Sequence, residues 1–488
     1  MPKGRQARVA IDLGAQSCRV SLLRWRQHEP EIEAVHRFPN APVSADDGLH
    51  WDMQGILDGV MRGARLCAAK APEGIASIGV NGWAVDYVRL DGRGQPIAPP
   101  FCYRDARTER AEQEVHSILS PSRLYSLTGI QILRLNTMYQ LYADKLAGLD
   151  PTLAWVNLPE FITYCLCGKR VSEYTNATHT GLVALGTHSW CREIFSQLGL
   201  DISAAPQIVP SGSVLGTPIG DLASVPAFRD TRVIVPACHD TASAIAAIPA
   251  FGDDWAFISS GTWSLVGTVL DVPCVEGEAA AQNFTNLGGV GGKICFLKNV
   301  NGMWLLGQCL EDWEAQGMRW PLQELLSQCA ALPAPTTLID VDDPQLMIPG
   351  HTVAKINSQL ERLGQPKYAV NNASIPALAN LIFHSMAARY SEVLTSIARI
   401  TGKKLKRLFI VGGGSQNRFL NQLTARRSGL EVLLGSVESA TVGNFAVQMA
   451  AEERDESRSA GVRVEAVAQW AERLSATALS HSGQREIV

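Results

Sequence analysis

His239, Asp240 and Thr241 stand in a row where an apolar β-branched run, Val233 to Pro236, gives way to the small-residue segment Thr241 to Ala247. The run reads as a strand, and the segment as a helix packed closely on a sheet. Asp240 therefore falls at or near a helix N-terminus, where backbone N–H groups and the helix dipole favour the ionised carboxylate. A carboxylate fixed at the mouth of a sheet can accept a proton from a substrate hydroxyl. An aspartate at a helix start is also commonly just a cap, and both readings stay open here.

Downstream, WAFISSGTWSL (Trp255 to Leu265) reads as two apolar strands around Ser259, Ser260, Gly261 and Thr262. Gly261 permits a tight turn, and hydroxyls with free N–H groups there can hold a phosphate. The plain alternative is an ordinary hairpin turn. The turn has a twin near the N-terminus, Asp12-Leu13-Gly14-Ala15-Gln16-Ser17, between strands Arg8 to Leu13 and Cys18 to Trp25. There Gly14 lets the backbone approach a ligand, and Asp12 can hold Mg²⁺ directly or through water. Arg19 can meet phosphate oxygens.

Other polar clusters sit at element ends. Ile75 to Val80 is a strand that ends in Asn81-Gly82-Trp83-Ala84-Val85-Asp86, which reads as a pocket rim or a turn with a buried Trp. Tyr103 to Arg107 is too charged for a core strand, so it lines a cleft or the surface. Glu173 to Thr178 is polar and small, and either approaches the cleft or forms a loop. Gly412 to Asn417 follows the strand Arg407 to Val411 and opens a helix, a geometry suited to nucleotide phosphates.

The elements that must position these groups follow from periodicity and punctuation. Ile32 to Phe38 adds a strand, and Asp52 caps a helix to about Ala71. Arg110 to Leu200 reads mostly helical, and a Pro-, Gly- and Ser-rich stretch, Pro206 to Pro226, leads back to the strand at Val233. The second half opens near Ala250. Lys298 to Gly302 precedes a helix from Met303, and a long helix runs from Ser374 to Gly402. Glu431 to Leu434 is a strand, and Ala440 to Glu452 is a small-residue helix around Gly443. Polarity rises after Asp455, which predicts a surface helix and a loose tail.

A chain of 488 residues exceeds one core, so two domains are expected, 1–248 and 249–488. A net charge of −4 argues against nucleic acid as a partner. No apolar run is long enough for a bilayer, and VAIDLGAQ at the start is a strand, not a signal peptide. The 11 cysteines, scattered singly except Cys165 and Cys167, point to reduced thiols and a cytoplasmic location. GGVGGK at Gly288 to Lys293 is not a Walker loop, because Leu287 holds the first glycine position and Ile294 follows the lysine. No G-x-S-x-G elbow is present.

Two strand–turn–strand openings and a triple-glycine strand–helix turn suggest an α/β chain of two actin-like (ribonuclease-H-like) domains with a central cleft. IDLGAQSCRV, YRDART, EYTNAT, CHDTASA, ISSGTWSL, LKNVNGMWLL and IVGGGSQN, in order along the chain, resemble the FGGY carbohydrate kinases. That resemblance implies ATP-dependent phosphorylation of a ketose hydroxyl with Mg²⁺. L-rhamnulose is the expected sugar, and L-fuculose or another ketose the alternative. It implies Asp240 as general base; Ala84, His239, Asp240, Thr241 and Asn299 at the sugar; and a 1–248 sugar-binding and a 249–488 nucleotide-binding domain. Ala15, Gln16, Ser17, Cys18, Arg19, Thr262 and Gly413 match nucleotide positions, and Asp12 the acid near the metal. The partners are a small-molecule sugar and ATP, with no nucleic acid and no membrane; the oligomeric state stays open. The sequence departs from the family pattern at Asn81 and Ala84, where an acid and a glycine are usual. It departs also at Gly307, in place of a nucleotide-contacting Gln, and at Cys18, where a Gly is common.

Overall fold

The computed structural model describes residues 6–261, 263–453 and 461–480. The described residues of 1–251, 269–296 and 438–484 form one compact unit, and those of 252–268 and 297–437 form a second. Compactness thus follows packing rather than a single cut at residue 248, because two later segments return to the first unit.

The first unit is built on a sheet ordered Val214–Gly216, Arg232–Ile234, Ile75–Gly82, Ala7–Leu13, Ser17–Arg26, Glu29–Pro39. Ala7–Leu13 lies inside it, antiparallel to Ser17–Arg26 and parallel to Ile75–Gly82. It is buried along its whole length, as a strand covered on both faces must be. Val9, Ile11 and Leu13 pack towards Val60, Ala64 and Cys67 of the helix Met53–Lys70. Asp52 starts that helix as expected, its carboxylate accepting from the Gly55 N–H at 2.9 Å. Ala10, on the opposite face, packs with Val442, Phe445 and Ala446 of the helix Ser439–Glu452.

That helix and Asp240–Ala246 meet at glycine. A Cβ on Gly443 would lie 1.7 Å from the Ser243 carbonyl oxygen, so the small-residue pattern serves a backbone-to-backbone crossing. The expected surface helix after Asp455 is instead a packed one. Val464–Ser480 buries Ala466, Val467, Ala471 and Leu474 in the same cluster. The loose tail expected beyond it lies outside the described residues. Arg110 to Leu200 is largely helical as read, but it also contains the three-residue strands Trp155–Asn157 and Val171–Glu173, too short to show a period.

The second unit repeats the plan. Within it the strands Trp263–Leu270, Trp255–Ser260, Arg407–Val411 and Glu431–Leu434 lie side by side in that order. Trp255–Ser260 is antiparallel to Trp263–Leu270 and parallel to Arg407–Val411, which is parallel to Glu431–Leu434. In each unit, then, an opening strand is antiparallel to the next strand in the chain and parallel to a later one, which is parallel in turn to another. This is the duplication that the paired hairpins suggest in the sequence. The long helix Ile375–Thr401 ends at Gly402, whose φ of 70° only glycine adopts freely.

Candidate active site

In the first unit the chain Arg232–Ile234 leads past Cys238 and His239 into the helix Asp240–Ala246, with Asp240 its first residue. Glu173, Thr175 and Gly82 hold that approach. The Cys238 N–H donates to the Glu173 carboxylate at 2.9 Å, and the His239 N–H to the Thr175 hydroxyl at 3.2 Å. The Gly82 N–H donates to the Cys238 carbonyl at 2.9 Å. Glu173 also accepts from the Ser211 and Thr175 hydroxyls, at 2.6 and 2.5 Å, which satisfies a fully buried carboxylate. The Glu173 to Thr178 segment is thus the footing beneath Asp240.

The Asp240 carboxylate accepts from the Thr241 N–H at 2.5 Å and its hydroxyl at 3.2 Å, and His239 Nε2 lies 3.3 Å away. Its side chain remains 37% exposed. Burial by the surrounding protein pushes the carboxyl up to about 6, against the opposing pull of Thr241 and Arg19. The group is ionised at neutral pH yet basic enough to take a proton, the balance general-base chemistry needs. Burial drives His239 down to about 3, so its ring is neutral.

Asp12 lies on Ala7–Leu13, separated from Arg232–Ile234 by the strand Ile75–Gly82, opposite Arg19 and beside Asn81. Asn81 Nδ2 donates to Oδ1 at 2.8 Å, and Arg19 Nε stands 3.2 Å from Oδ2. Burial raises the Asp12 carboxyl, Arg19 lowers it, and the charge of Asp240 raises it further, so the two acids feel one another. Arg19 also pairs with Glu438. Behind Asn81 runs a buried ladder of amides. Asn444 Nδ2 donates to Asn81 Oδ1 at 2.7 Å, Gln448 Nε2 to Asn444 Oδ1 at 2.7 Å, and the Ser77 hydroxyl to Gln448 Oε1 at 2.6 Å. Every member of the ladder is buried, and the ladder fixes which way the Asn81 amide faces.

Of the first turn, Gly14 is required: a Cβ there would sit 2.5 Å from the Ser17 carbonyl oxygen. Ala15 and Ser17 are half-buried and Gln16 is exposed. Cys18 points into the core, fully buried, so only its backbone is available to a ligand. Ala84 is buried just before Val85, whose φ of 71° strains a β-branched residue. The Thr137 hydroxyl holds the Val85 carbonyl at 2.6 Å. Asp86 accepts from the indoles of Trp51 and Trp83 at 2.6 and 2.9 Å, which braces the other side of that corner.

In the second unit the Ser259-Ser260-Gly261 turn and the glycine loop touch. A Cβ on Gly414 would fall 1.9 Å from Ser260 Oγ, and one on Gly412, itself at a φ of 82°, 2.9 Å from the Ser260 carbonyl oxygen. Gly413 instead faces open space. The Met303 N–H donates to the Gly261 carbonyl at 3.3 Å, bringing the helix Trp304–Glu314 to the same corner. Gln308 on that helix is engaged by Glu311 and the Gly350 N–H, at 2.7 and 3.2 Å. Asn299 lies half-buried on Ile294–Asn301. Thr262 lies outside the described residues.

The sequence models for the N- and C-terminal domains of the FGGY family of carbohydrate kinases match residues 7–247 and 256–452. The chain belongs to the FGGY family of carbohydrate kinases. A rhamnulokinase of Enterococcus faecalis is 36% identical over 453 residues, 91% of this chain and 89% of that protein. One of Bacteroides thetaiotaomicron is 34% identical over 450 residues, 91% and 90%. Among solved structures, a ligand-bound xylulose kinase from Lactobacillus acidophilus superposes with a TM-score of 0.75 at 16% identity, covering 98% of both chains. A Plasmodium falciparum glycerol kinase with ADP gives 0.72 at 14%, covering 96% of this chain and 93% of that one. At such identities these two speak for the fold alone.

The chain is therefore an ATP-dependent carbohydrate kinase. No helix among the described residues is long and apolar enough to cross a membrane. For this FGGY kinase the sequence left several supporting residues unread. Glu173 was visible only as part of a polar loop, Asp86 as the end of a turn, and His179 not at all. Asn444 and Gln448 carry a signal in hindsight: two amides four apart on a helix otherwise made of small and apolar residues. Asn444→Leu is expected to leave the Asn81 carbonyl oxygen and one N–H of the Gln448 amide unpaired in the core, the other still donating to the Val9 carbonyl at 3.0 Å. The cost is about 2–4 kcal/mol of stability, read by denaturant unfolding. An unchanged midpoint would mean that the ladder carries no stability.

Proposed function

We propose that this kinase transfers the γ-phosphoryl group of ATP to the 1-hydroxyl of L-rhamnulose. The observation that carries the reading is Asp240: a carboxylate open on one side, raised to about 6 and set beside a neutral His239. Two relatives over a third identical along nine-tenths of the chain, both named rhamnulokinase, support the choice of sugar. In this scheme the hydroxyl oxygen bonds to the γ-phosphorus, the bond from that phosphorus to the bridging oxygen breaks, and the proton passes to Asp240. ADP leaves with the electron pair. Most of the catalysis is positioning and charge neutralisation, with the base adding a smaller factor.

His239, Thr241, Ala84 and Asn299 would contact the sugar. Ala15, Gln16, Ser17 and Arg19, the Cys18 backbone, Thr262 and Gly413 would contact nucleotide. We assign sugar binding mainly to 1–248 and nucleotide binding mainly to 249–488. Asp12 fits Mg²⁺. It is an acid whose proton affinity is raised first by burial and further by the Asp240 charge, against the pull of Arg19, and a dication relieves that strain. Among the described residues no three His, Cys, Asp or Glu side chains form a cage, so water and phosphate oxygens would complete its shell. When bound, Mg²⁺ would neutralise phosphate charge. Eleven free thiols suit the reducing cytoplasm.

A panel of L-rhamnulose, L-fuculose, D-xylulose and glycerol, with ADP release as the readout, tests the substrate. L-rhamnulose is expected to give the highest kcat/KM, and ATP turnover without sugar to be far slower. A higher kcat/KM for L-fuculose would move the assignment to that ketose, a shift the Asn81 and Ala84 departures make specific. Turnover indifferent to every sugar would instead fit an actin-like ATP-hydrolysing scaffold.

A further inference from the structure

His179 lies against the residues that frame Asp240, and nothing so far gives it a task. Its ring meets that of His239 edge to face, with centroids 4.4 Å apart and planes at 69°. Three buried ring nitrogens, Nδ1 and Nε2 of His179 and Nδ1 of His239, have no hydrogen-bond partner among the described residues. Buried polar atoms are nearly always paired, so three together beside a candidate base point to a ligand. His239 Nε2, at 3.3 Å from the Asp240 carboxylate, links the ring pair to that base.

The position is also held. Asn136 Nδ2 donates to the His179 carbonyl at 3.3 Å, and the next residue, Thr137, holds the strained Val85 carbonyl at 2.6 Å. The Ala84–Val85 corner and His179 are thus fixed by adjacent residues of one helix start. Burial holds both imidazoles neutral, His239 at about 3 and His179 well below its usual value. Each neutral ring then offers one donor and one acceptor nitrogen, which matches a hydroxyl and does not attract an anion.

We infer that His179, with His239, reads a second hydroxyl of the sugar, making His179 a specificity-determining contact of the kinase. The inference rests on Asp240 facing the acceptor sugar. Its test uses the full-length enzyme with His179→Leu and His179→Asn, thermal melts to show both fold, and steady-state kinetics with L-rhamnulose and its monodeoxy analogues. His179→Leu is expected to raise the ketose KM about 10- to 100-fold, with kcat and the KM for ATP little changed. His179→Asn, which keeps a donor and an acceptor, recovers part of the loss. One deoxy analogue is expected to bind wild type and His179→Leu equally, because it lacks the hydroxyl being read. An unchanged ketose KM in His179→Leu, or an equal loss with every analogue, overturns the inference. A wild-type enzyme that phosphorylates no ketose overturns the underlying reading instead, before any variant is compared.

Discussion

Asp240→Asn is expected to lower kcat by about 10²–10⁴-fold while leaving the affinity for ATP near that of the wild type. The substitution keeps size and hydrogen-bonding reach, so the Thr241 contacts at 2.5 and 3.2 Å have an oxygen to meet, and what is lost is the proton affinity and the negative charge. The pH profile separates a base from a mere cap. Burial raises this carboxyl to about 6, so the proton-accepting form is present above that value and lost as pH falls through it. Wild-type kcat/KM should therefore drop about tenfold per unit on the acid side. The asparagine variant should lack that limb. Full activity of Asp240→Asn across the ketose panel would remove Asp240 from the chemistry.

Gly443→Ala is the second large effect, and it acts from behind the site. The added methyl would sit 1.7 Å from the Ser243 carbonyl oxygen, with the Ala247 amide nitrogen at 3.2 Å. Both neighbours are backbone, so no side chain can turn aside. Alanine improves helix propensity over glycine by about 1 kcal/mol, but overpacking costs about 1–3 kcal/mol and more when backbone must move. The clash wins, and the helix that carries Asp240 must shift. A lower melting temperature together with a lower kcat is expected. Gly307→Ala is the control, since a Cβ there meets nothing within 4 Å in the helix Trp304–Glu314 and should gain propensity alone. Equal melting of Gly443→Ala and wild type would mean that the two helices are not locked.

Much of this was readable from residue order. The paired hairpins announced the duplicated sheet, because apolar runs interrupted by Gly14 and Gly261 can do little else. Asp240 showed itself as an acid between a β-branched run and a small-residue helix. What stayed hidden depends on contacts far apart in the chain. Glu173 meets the Cys238 N–H across 65 residues, and Ser77 meets Gln448 across 371, distances over which local pattern carries no information. The helix Val464–Ser480 was judged by its polarity, which masked a stripe at Ala466, Val467, Trp470, Ala471 and Leu474. His179 gave no signal because a single histidine at the end of a short polar helix has no spacing to read.

The amide ladder has a consequence for the order in which the protein is made. Asn81, which donates to Asp12, leaves the ribosome 363 residues before Asn444, the amide that fixes which way it faces. Until then the first sheet lacks the helix that covers one of its faces, and of the two side chains that hold the Asn81 amide only Asp12 has been made. A growing polypeptide can thus lay down the strands of both units while its acidic centre is still unset, so that centre waits on a helix made long after it.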